Sequence, residues 1–187
     1  QEYVDYQDIR VLEIGMDLAY FDHLKRLAEN LEHPLLESLV TLTIDCYNVI
    51  TVERALSLKK PGSFMKQLLS DAGTLSAREV IQCVEQGNLI SWFQQVNPLP
   101  YDVELTRYEE QMRAGRVSAE TVEYLEHVIK YRILEQASFE TDGPLPLARY
   151  LFGKELEVKN LRLVLTGLDN QLPIDKIKER MRPIYGQ

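Results

Sequence analysis

The stretch PLLESLVTLTIDCYNVITVERALSL, residues 34–58, decides the fold. Its apolar residues recur at the three- and four-residue spacings of one face of an α-helix, and a proline at its first position is typical of a helix start. At 1.5 Å per residue such a helix spans roughly 37 Å. We therefore predict a long strut, with its apolar stripe formed by Leu35, Leu36, Leu39, Leu42, Cys46, Val49 and Leu56.

The other periodic segments have the same helical period, and no convincing run alternates with period 2. Ser76 followed by Glu79 forms a capping-box motif and starts a further helix. A first helix is predicted from about Met16 to Asn30, and Ser63 is predicted to cap a short helix that stops at Gly73. A second long rod is predicted from Pro146 to about Asn170, and a last helix from Pro173 to Pro183. The predicted fold class is all-α.

Landmarks that start or interrupt helices recur at an offset of 112 residues without a gap. Pro34 corresponds to Pro146, Asn48 to Asn160, and Pro61 to Pro173. Matching leucines are weak evidence because any two amphipathic helices align them, whereas prolines and polar residues are more specific. We interpret the chain as two pseudo-repeated helical units, residues 1–100 and 101–187, and we expect it to be a fragment because it opens on Gln1.

Composition narrows the function classes. The chain has 187 residues, of which 45% are hydrophobic and 27% charged, and its formal net charge is −8. These values are typical of a globular domain, and an acidic surface disfavours nucleic acid and anionic lipid as main partners.

Cys46 and Cys83 lie in apolar helical patterns and are interpreted as buried small side chains. The apolar stretch 35–50 contains Glu37 and Asp45, which argues against a membrane span.

Motifs of known catalytic chemistry are missing from the sequence. It contains no phosphate-binding glycine loop, nucleophile elbow or His-Glu-x-x-His pair. Glu29 with His33, and Glu123 with His127, are pairs at helical spacing, but solvated helix faces are favoured over metal ligands. We accordingly predict no catalytic residue, no metal and no cofactor.

Each predicted strut carries a carboxylate three residues before an asparagine. The pairs are Asp45 with Asn48 and Glu157 with Asn160, and their spacing places both side chains of a pair on one helix face. Asparagine is a poor helix former in mid-helix because its amide competes for backbone hydrogen bonds. We interpret the pairs as a satisfied polar network that ties each strut to a neighbouring helix.

The segment ARYLFGKELEVKNLRLVLTG, residues 148–167, followed by Leu172 and Pro173, resembles the C-terminal signature of a central-stalk family of the A/V-type ATPases, the C subunits, which are called d subunits in eukaryotes. Residues 44–54, IDCYNVITVER, resemble the earlier Asp-x-x-Asn helix of that family, and residues 17–21 its lead-in helix. The family has three related helical units in a funnel, of which this chain resembles the last two. The pattern departs from the repeat at Thr166, which corresponds to Arg54.

The resemblance implies a mechanical function. Members of this family perform no chemistry; they hold the foot of the central shaft above the proteolipid ring, on the cytoplasmic face of the membrane, and couple ATP turnover to H⁺ or Na⁺ movement. It implies that Arg54 and Arg162 either lock the struts to neighbouring helices or line the cavity, and we favour the first. A helical-repeat binding scaffold unrelated to ATPases, or an enzyme with an unrecognised site, is the alternative.

Overall fold

A computed structural model describes residues 9–96, 103–113 and 117–186 of the chain. Every regular element in these ranges is an α-helix, which confirms the all-α prediction. The helices, numbered here in chain order, are α1 (Ile9–Asn30), α2 (Pro34–Ser57), α3 (Gly62–Leu68), α4 (Ala77–Glu85), α5 (Leu89–Val96), α6 (Val103–Arg113), α7 (Ala119–Glu135), α8 (Leu145–Asp169) and α9 (Ile174–Glu179).

The chain divides into two compact units, Gln1–Glu123 and Tyr124–Gln187. This division follows packing density and places the limit inside helix α7. The predicted units, 1–100 and 101–187, were defined instead by sequence repetition. Repetition and compactness are different properties, so the duplication boundary stays a prediction.

Helix α2 forms the core of unit 1. It packs against α1, α3 and α4 and buries a continuous set of side chains, including Ile44, Asn48 and Val52, which are fully shielded from solvent. Helix α4 begins with the predicted capping box: the Ser76 hydroxyl accepts from the Glu79 backbone N–H, and the Glu79 carboxylate accepts from the Ser76 backbone N–H. Trp92 and Phe93 of α5 are also buried.

By length and composition α2 could cross a membrane, and among the described helices it is the one that meets this test. Nine of its residues, Asp45 and Asn48 among them, are buried inside the unit. A buried carboxylate and amide that bond to neighbouring loops are expected of a core helix of a folded unit.

Helix α8 is the corresponding long helix of unit 2. It packs against α9, and its buried residues include Gly153, Leu156, Asn160 and Gly167. After α9 the chain continues as a segment without regular structure, residues 181–186. The Tyr131 hydroxyl of α7 donates to the Ile184 carbonyl in this segment at 3.1 Å, so the segment is held within unit 2.

The two struts end in the same way. Lys59 and Gln171, 112 residues apart, both adopt left-handed backbone conformations, with φ of 54° and 55°. The next residue in each case donates its N–H five residues back, from Lys60 to Ala55 and from Leu172 to Gly167, both at 2.9 Å. A proline then precedes each short helix, Pro61 before α3 and Pro173 before α9, and each of these helices buries one apolar side chain, Met65 and Ile177 respectively.

Several predicted helix limits were wrong. Ser63 does not cap α3, since Pro61 is the N-cap and makes no side-chain capping bond. Helix α9 ends at Glu179 rather than at Pro183, because the backbone of Arg182 is bound by a side chain of α8 and cannot continue the helix. Helix α1 begins at Ile9, seven residues before the predicted start at Met16.

Candidate functional site

Asn48 binds the backbone of the loop that follows α3. Its Nδ2 donates to the Ser70 carbonyl at 2.8 Å, and its Oδ1 accepts from the Ser70 N–H at 3.0 Å. Asn48 is fully buried and Ser70 is 3% exposed. A buried amide that satisfies both polar groups of one residue is a strong local constraint, because loss of either bond leaves a desolvated donor or acceptor. We call this arrangement the Asn48 clamp.

Asp45 extends the contact to the same loop. Its Oδ1 accepts from the Thr74 N–H at 2.7 Å. Gly73 passes so close that a Cβ there would lie 2.3 Å from Asp45 Oδ1, so the approach requires glycine. Burial raises the pKa of Asp45, although hydrogen bonds from Thr74 and Leu75 and the charge of Lys25 lower it. Asp45 Oδ2 is buried and has no partner among the described residues.

Asn160 forms the same clamp in unit 2. Its Nδ2 donates to the Arg182 carbonyl at 3.0 Å, and its Oδ1 accepts from the Arg182 N–H at 2.8 Å. In both clamps the bound residue lies 22 positions after the asparagine. The chemistry thus recurs at the offset of the sequence repeat.

Glu157 does not reproduce the part played by Asp45. Its carboxylate accepts from Lys154 Nζ at 2.8 Å, and the side chain is 38% exposed. The longer side chain lies on the surface of α8, so the two carboxylates of the predicted pairs have different environments. The sequence predicted a link between helices, whereas the asparagines in both units bind loop backbone.

The two arginines that are predicted to lock the struts lie in different surroundings. Arg54 Nη2 bonds Glu123 Oε1 at 2.9 Å, within unit 1, but the side chains are 61% and 42% exposed. Arg162 is exposed, and no partner for it is found among the described residues. An exposed ion pair contributes little to stability, so the Arg54 contact holds its strut only weakly.

Unit 2 contains a histidine whose burial no sequence pattern predicts. His127 is 8% exposed. Its Nδ1 accepts from Arg182 Nε at 3.1 Å, and its Nε2 lies 2.7 Å from Lys159 Nζ. Burial, with the neighbouring charges of Lys159, Arg182 and Lys130, lowers the pKa of His127 to about 3. The imidazole is therefore neutral at physiological pH.

Both histidine–glutamate interpretations need correction. His127 is buried rather than solvated, and Glu123 pairs with Arg54. His33 is the N-cap of α2, where its Nδ1 accepts from the Leu35 N–H at 3.3 Å. In the ranges that the structure describes, no group of three or more His, Cys, Asp or Glu side chains could hold a metal ion. Cys46 is buried as predicted, whereas Cys83 is only half-buried, and both are reduced thiols.

A close contact at Gly153 also holds helix α8 against the segment that follows α9. A Cβ on Gly153 would lie 2.6 Å from the Tyr185 ring, which also packs under the Arg149 guanidinium, 5.0 Å from the ring centroid. In the sequence, the sign of this contact is a glycine in mid-helix. Glycine lowers helix stability at such a position, so its presence indicates that another group packs closely against the helix. Helix α8 is therefore bound to the segment that follows α9 and packs across it.

This framework can hold a strut at a fixed distance from the segment that packs across it, and both polar atoms of each asparagine take part in doing so. In both clamps the donor and the acceptor are occupied by backbone.

Comparison with known proteins places these observations in a family. The model of the ATP synthase (C/AC39) subunit family matches residues 1–180. The chain is 30% identical over 177 residues to the C subunit of the V-type sodium ATPase of Enterococcus hirae, covering 93% of this chain and 52% of that protein. It is 23% identical over 175 residues to the C subunit of the A-type ATP synthase of Pyrococcus horikoshii, covering 92% and 47%. No solved structure shows a significant match.

Proposed function

Since the chain belongs to the ATP synthase (C/AC39) subunit family, we propose that it acts as the non-catalytic central-stalk subunit of an A/V-type rotary ATPase. In this role it links the rotating shaft to the membrane proteolipid ring and couples ATP turnover to H⁺ or Na⁺ transport. The observation that carries the proposal is the family match over residues 1–180. The chain spans about half the length of the two relatives described above, so it corresponds to part of such a protein.

The mechanical properties of the struts support this role. Helices α2 and α8 have 24 and 25 residues, which corresponds to about 36 Å each at 1.5 Å per residue. A helix that carries torque must not slide against the segment beside it. The Asn48 clamp and its counterpart at Asn160 oppose such sliding, because moving the strut by one residue would break two hydrogen bonds at once, which are buried at Asn48 and part-buried at Asn160.

The proposed partners are the central shaft subunits and the proteolipid ring, and the proposed location is the cytoplasmic face of the membrane, with contact only through the ring. The net charge of −8 is consistent with protein partners, since an acidic surface is repelled by anionic headgroups. Nucleic acid is not among the proposed partners. The protein would make and break no covalent bond.

Removal of the parent protein from its cell tests the proposal. Membrane vesicles should continue to hydrolyse ATP in the catalytic head but should lose ATP-driven ion uptake, since the link between head and ring is gone. Tagged parent protein, purified from detergent-solubilised membranes, should carry shaft and ring subunits with it.

Two results would contradict the proposal. One is normal ion uptake in vesicles that lack the protein. The other is purification of the tagged protein without shaft or ring subunits but with unrelated soluble proteins, which would favour the helical scaffold.

A further inference from the structure

The buried ring of His127 lies between two cations. Its Nδ1 is 3.1 Å from Arg182 Nε, and its Nε2 is 2.7 Å from Lys159 Nζ. A neutral imidazole has one N–H and one acceptor nitrogen, whereas guanidinium and ammonium groups only donate. The two contacts therefore cannot both be hydrogen bonds at the same time.

Protonation of the ring does not remove this conflict. An imidazolium would present an N–H to each cation, so neither contact would be a hydrogen bond, and a further positive charge would be added to a buried position. The other ammonium group near the ring has its own partner, since Lys130 Nζ lies 2.5 Å from Glu126 Oε1 on α7. The ring is therefore neutral, and each of its two tautomers satisfies one of the two cations.

The two tautomers connect different elements. With the proton on Nε2, the Nδ1 of His127 accepts from Arg182 and ties α7 to the segment 181–186. With the proton on Nδ1, its Nε2 accepts from Lys159 and ties α7 directly to α8. The choice of tautomer thus decides whether the side chain of Arg182 anchors the segment.

The surroundings of the two cations favour the bond from Arg182. Lys159 has a second acceptor, since its Nζ lies 2.6 Å from Glu155 Oε1, one turn earlier on α8. For the guanidinium of Arg182, His127 is the one side-chain acceptor found among the described residues. Asn160 also holds the backbone of Arg182, which keeps the guanidinium near the ring. Loss of the ring contact thus costs more at Arg182 than at Lys159.

We propose that His127 is a two-state junction. It holds Arg182 and the segment 181–186 while Glu155 retains Lys159, and it releases Arg182 when Lys159 is freed to bind the ring. Glu155 sets the balance between the two states through Lys159. The junction goes beyond the proposed function, because it depends only on groups inside unit 2 and needs no partner.

Release of Arg182 loosens the segment without detaching it. Asn160 still binds the backbone at Arg182, and the Tyr131 hydroxyl still donates to the Ile184 carbonyl. What changes is the link from α7, which then runs to Lys159 on α8 instead of to the segment. Unit 2 therefore has two arrangements of one fold, and a change at Glu155 shifts their populations.

Unit 1 contains the clamp but lacks the junction. At the 112-residue offset its three residues correspond to Gly15, Tyr47 and Ser70. None of these is a histidine or a cation, so Asn48 holds the backbone at Ser70 without any competition between charged donors. The Asn48 clamp is therefore an internal reference for measurements on the junction.

Nitrogen-15 NMR of the full-length protein with labelled histidine tests the tautomer, because ring nitrogens with and without a proton resonate far apart. His127→Gln identifies the signals. In wild type at neutral pH the proton should lie on Nε2. Arg182→Met should move it to Nδ1, since Lys159 is then the remaining donor and the backbone bonds to Asn160 are kept. A proton mainly on Nδ1 in wild type, an imidazolium, or an unchanged tautomer in Arg182→Met would overturn the proposal.

Hydrogen exchange at residues 182–186 measures how firmly the segment is held. Glu155→Gln frees Lys159 and should accelerate this exchange about tenfold, the effect of losing one hydrogen bond to a charged group. Exchange at the loop held by Asn48 should not change. The matched control is Glu157→Gln, which removes a carboxylate of the same helix that pairs with Lys154 and should leave exchange as in wild type.

A double variant shows whether Glu155 acts through the lysine. Glu155→Gln combined with Lys159→Met should exchange at the wild-type rate, because the competing donor is gone. Acceleration that persists in the double variant, equal acceleration in Glu157→Gln, or none in Glu155→Gln would overturn the proposal. Circular dichroism of each variant checks that the helices are retained.

Discussion

Asn48 and Asn160, 112 residues apart, bind the main chain in the same way: each donates to the carbonyl and accepts from the N–H of a residue 22 positions further on. Asn48→Ala should lower the free energy of unfolding by about 2–4 kcal/mol, because it leaves two desolvated backbone groups at Ser70 unpaired. Asn160→Ala should cost somewhat less, since Asn160 is 7% exposed. Urea unfolding measures both.

The control is Asn30→Ala at the exposed end of α1, which should change stability by less than about 0.5 kcal/mol. Equal effects at all three positions would refute the clamp.

Two mid-helix glycines should respond to alanine in opposite directions. Gly15→Ala should stabilise the protein by about 0.5–1 kcal/mol, because alanine is the better helix former and nothing lies within 4 Å of the added Cβ. Gly153→Ala should cancel that gain or destabilise the protein, since its Cβ would lie 2.6 Å from the Tyr185 ring. Thermal unfolding measures the difference, and faster hydrogen exchange at residues 182–186 should accompany only Gly153→Ala. Equal stabilisation by both substitutions would show that Tyr185 yields without cost.

His127 should make the protein less stable in acid. Because its pKa is about 3 in the folded state and near 6.5 when unfolded, the unfolded chain binds more protons between these values. The stability that the neutral imidazole of His127 contributes to the folded state is complete above pH 6.5, and it declines as the pH falls towards 3. Between pH 6.5 and 5 the loss should be about 2 kcal/mol.

Unfolding of wild type and His127→Gln across this range measures that part of the pH dependence. The variant should lose less stability than wild type as the pH falls. His23→Gln, at an exposed position of α1, serves as the control and should keep the wild-type slope. If His127→Gln keeps it as well, the imidazole is not held neutral by its surroundings.

The two strut arginines should contribute little to stability. Arg54→Ala should lower the free energy of unfolding by less than about 1 kcal/mol, since the pair with Glu123 is exposed to solvent. That loss should disappear in 1 M salt, where exposed charges are screened. Arg162→Ala should have no measurable effect, since the side chain is exposed. Chemical denaturation at two ionic strengths compares them, and a salt-independent loss for Arg54→Ala would show a role beyond the ion pair.

Features encoded locally could be predicted from the sequence. Pro34 begins its strut where predicted, and the Ser76–Glu79 capping box is formed, because both depend on residues within one helical turn. Asn48 and Asn160 were recognised as unusual because asparagine is unfavourable in mid-helix. Their partners could not be foreseen, since a backbone group 22 residues away leaves no mark on side-chain patterns.

The environments of Asp45, Glu157 and His127 were beyond sequence reasoning for a different reason. Asp45 and Glu157 correspond in the repeat, yet one is buried against Gly73 and the other pairs with Lys154 on the surface. His127 looks like a solvated helix residue until tertiary packing brings Lys159 and Arg182 to its ring. Burial is decided by which segments return across the helix, and spacing along one helix does not report that.

Because both asparagines hold only main-chain atoms, the geometry of the clamp does not depend on which side chain the bound residue carries. Position 70 carries a small hydroxyl and position 182 a guanidinium that reaches a histidine. One joint geometry therefore supports a small polar contact in one unit and a cation beside a buried imidazole in the other.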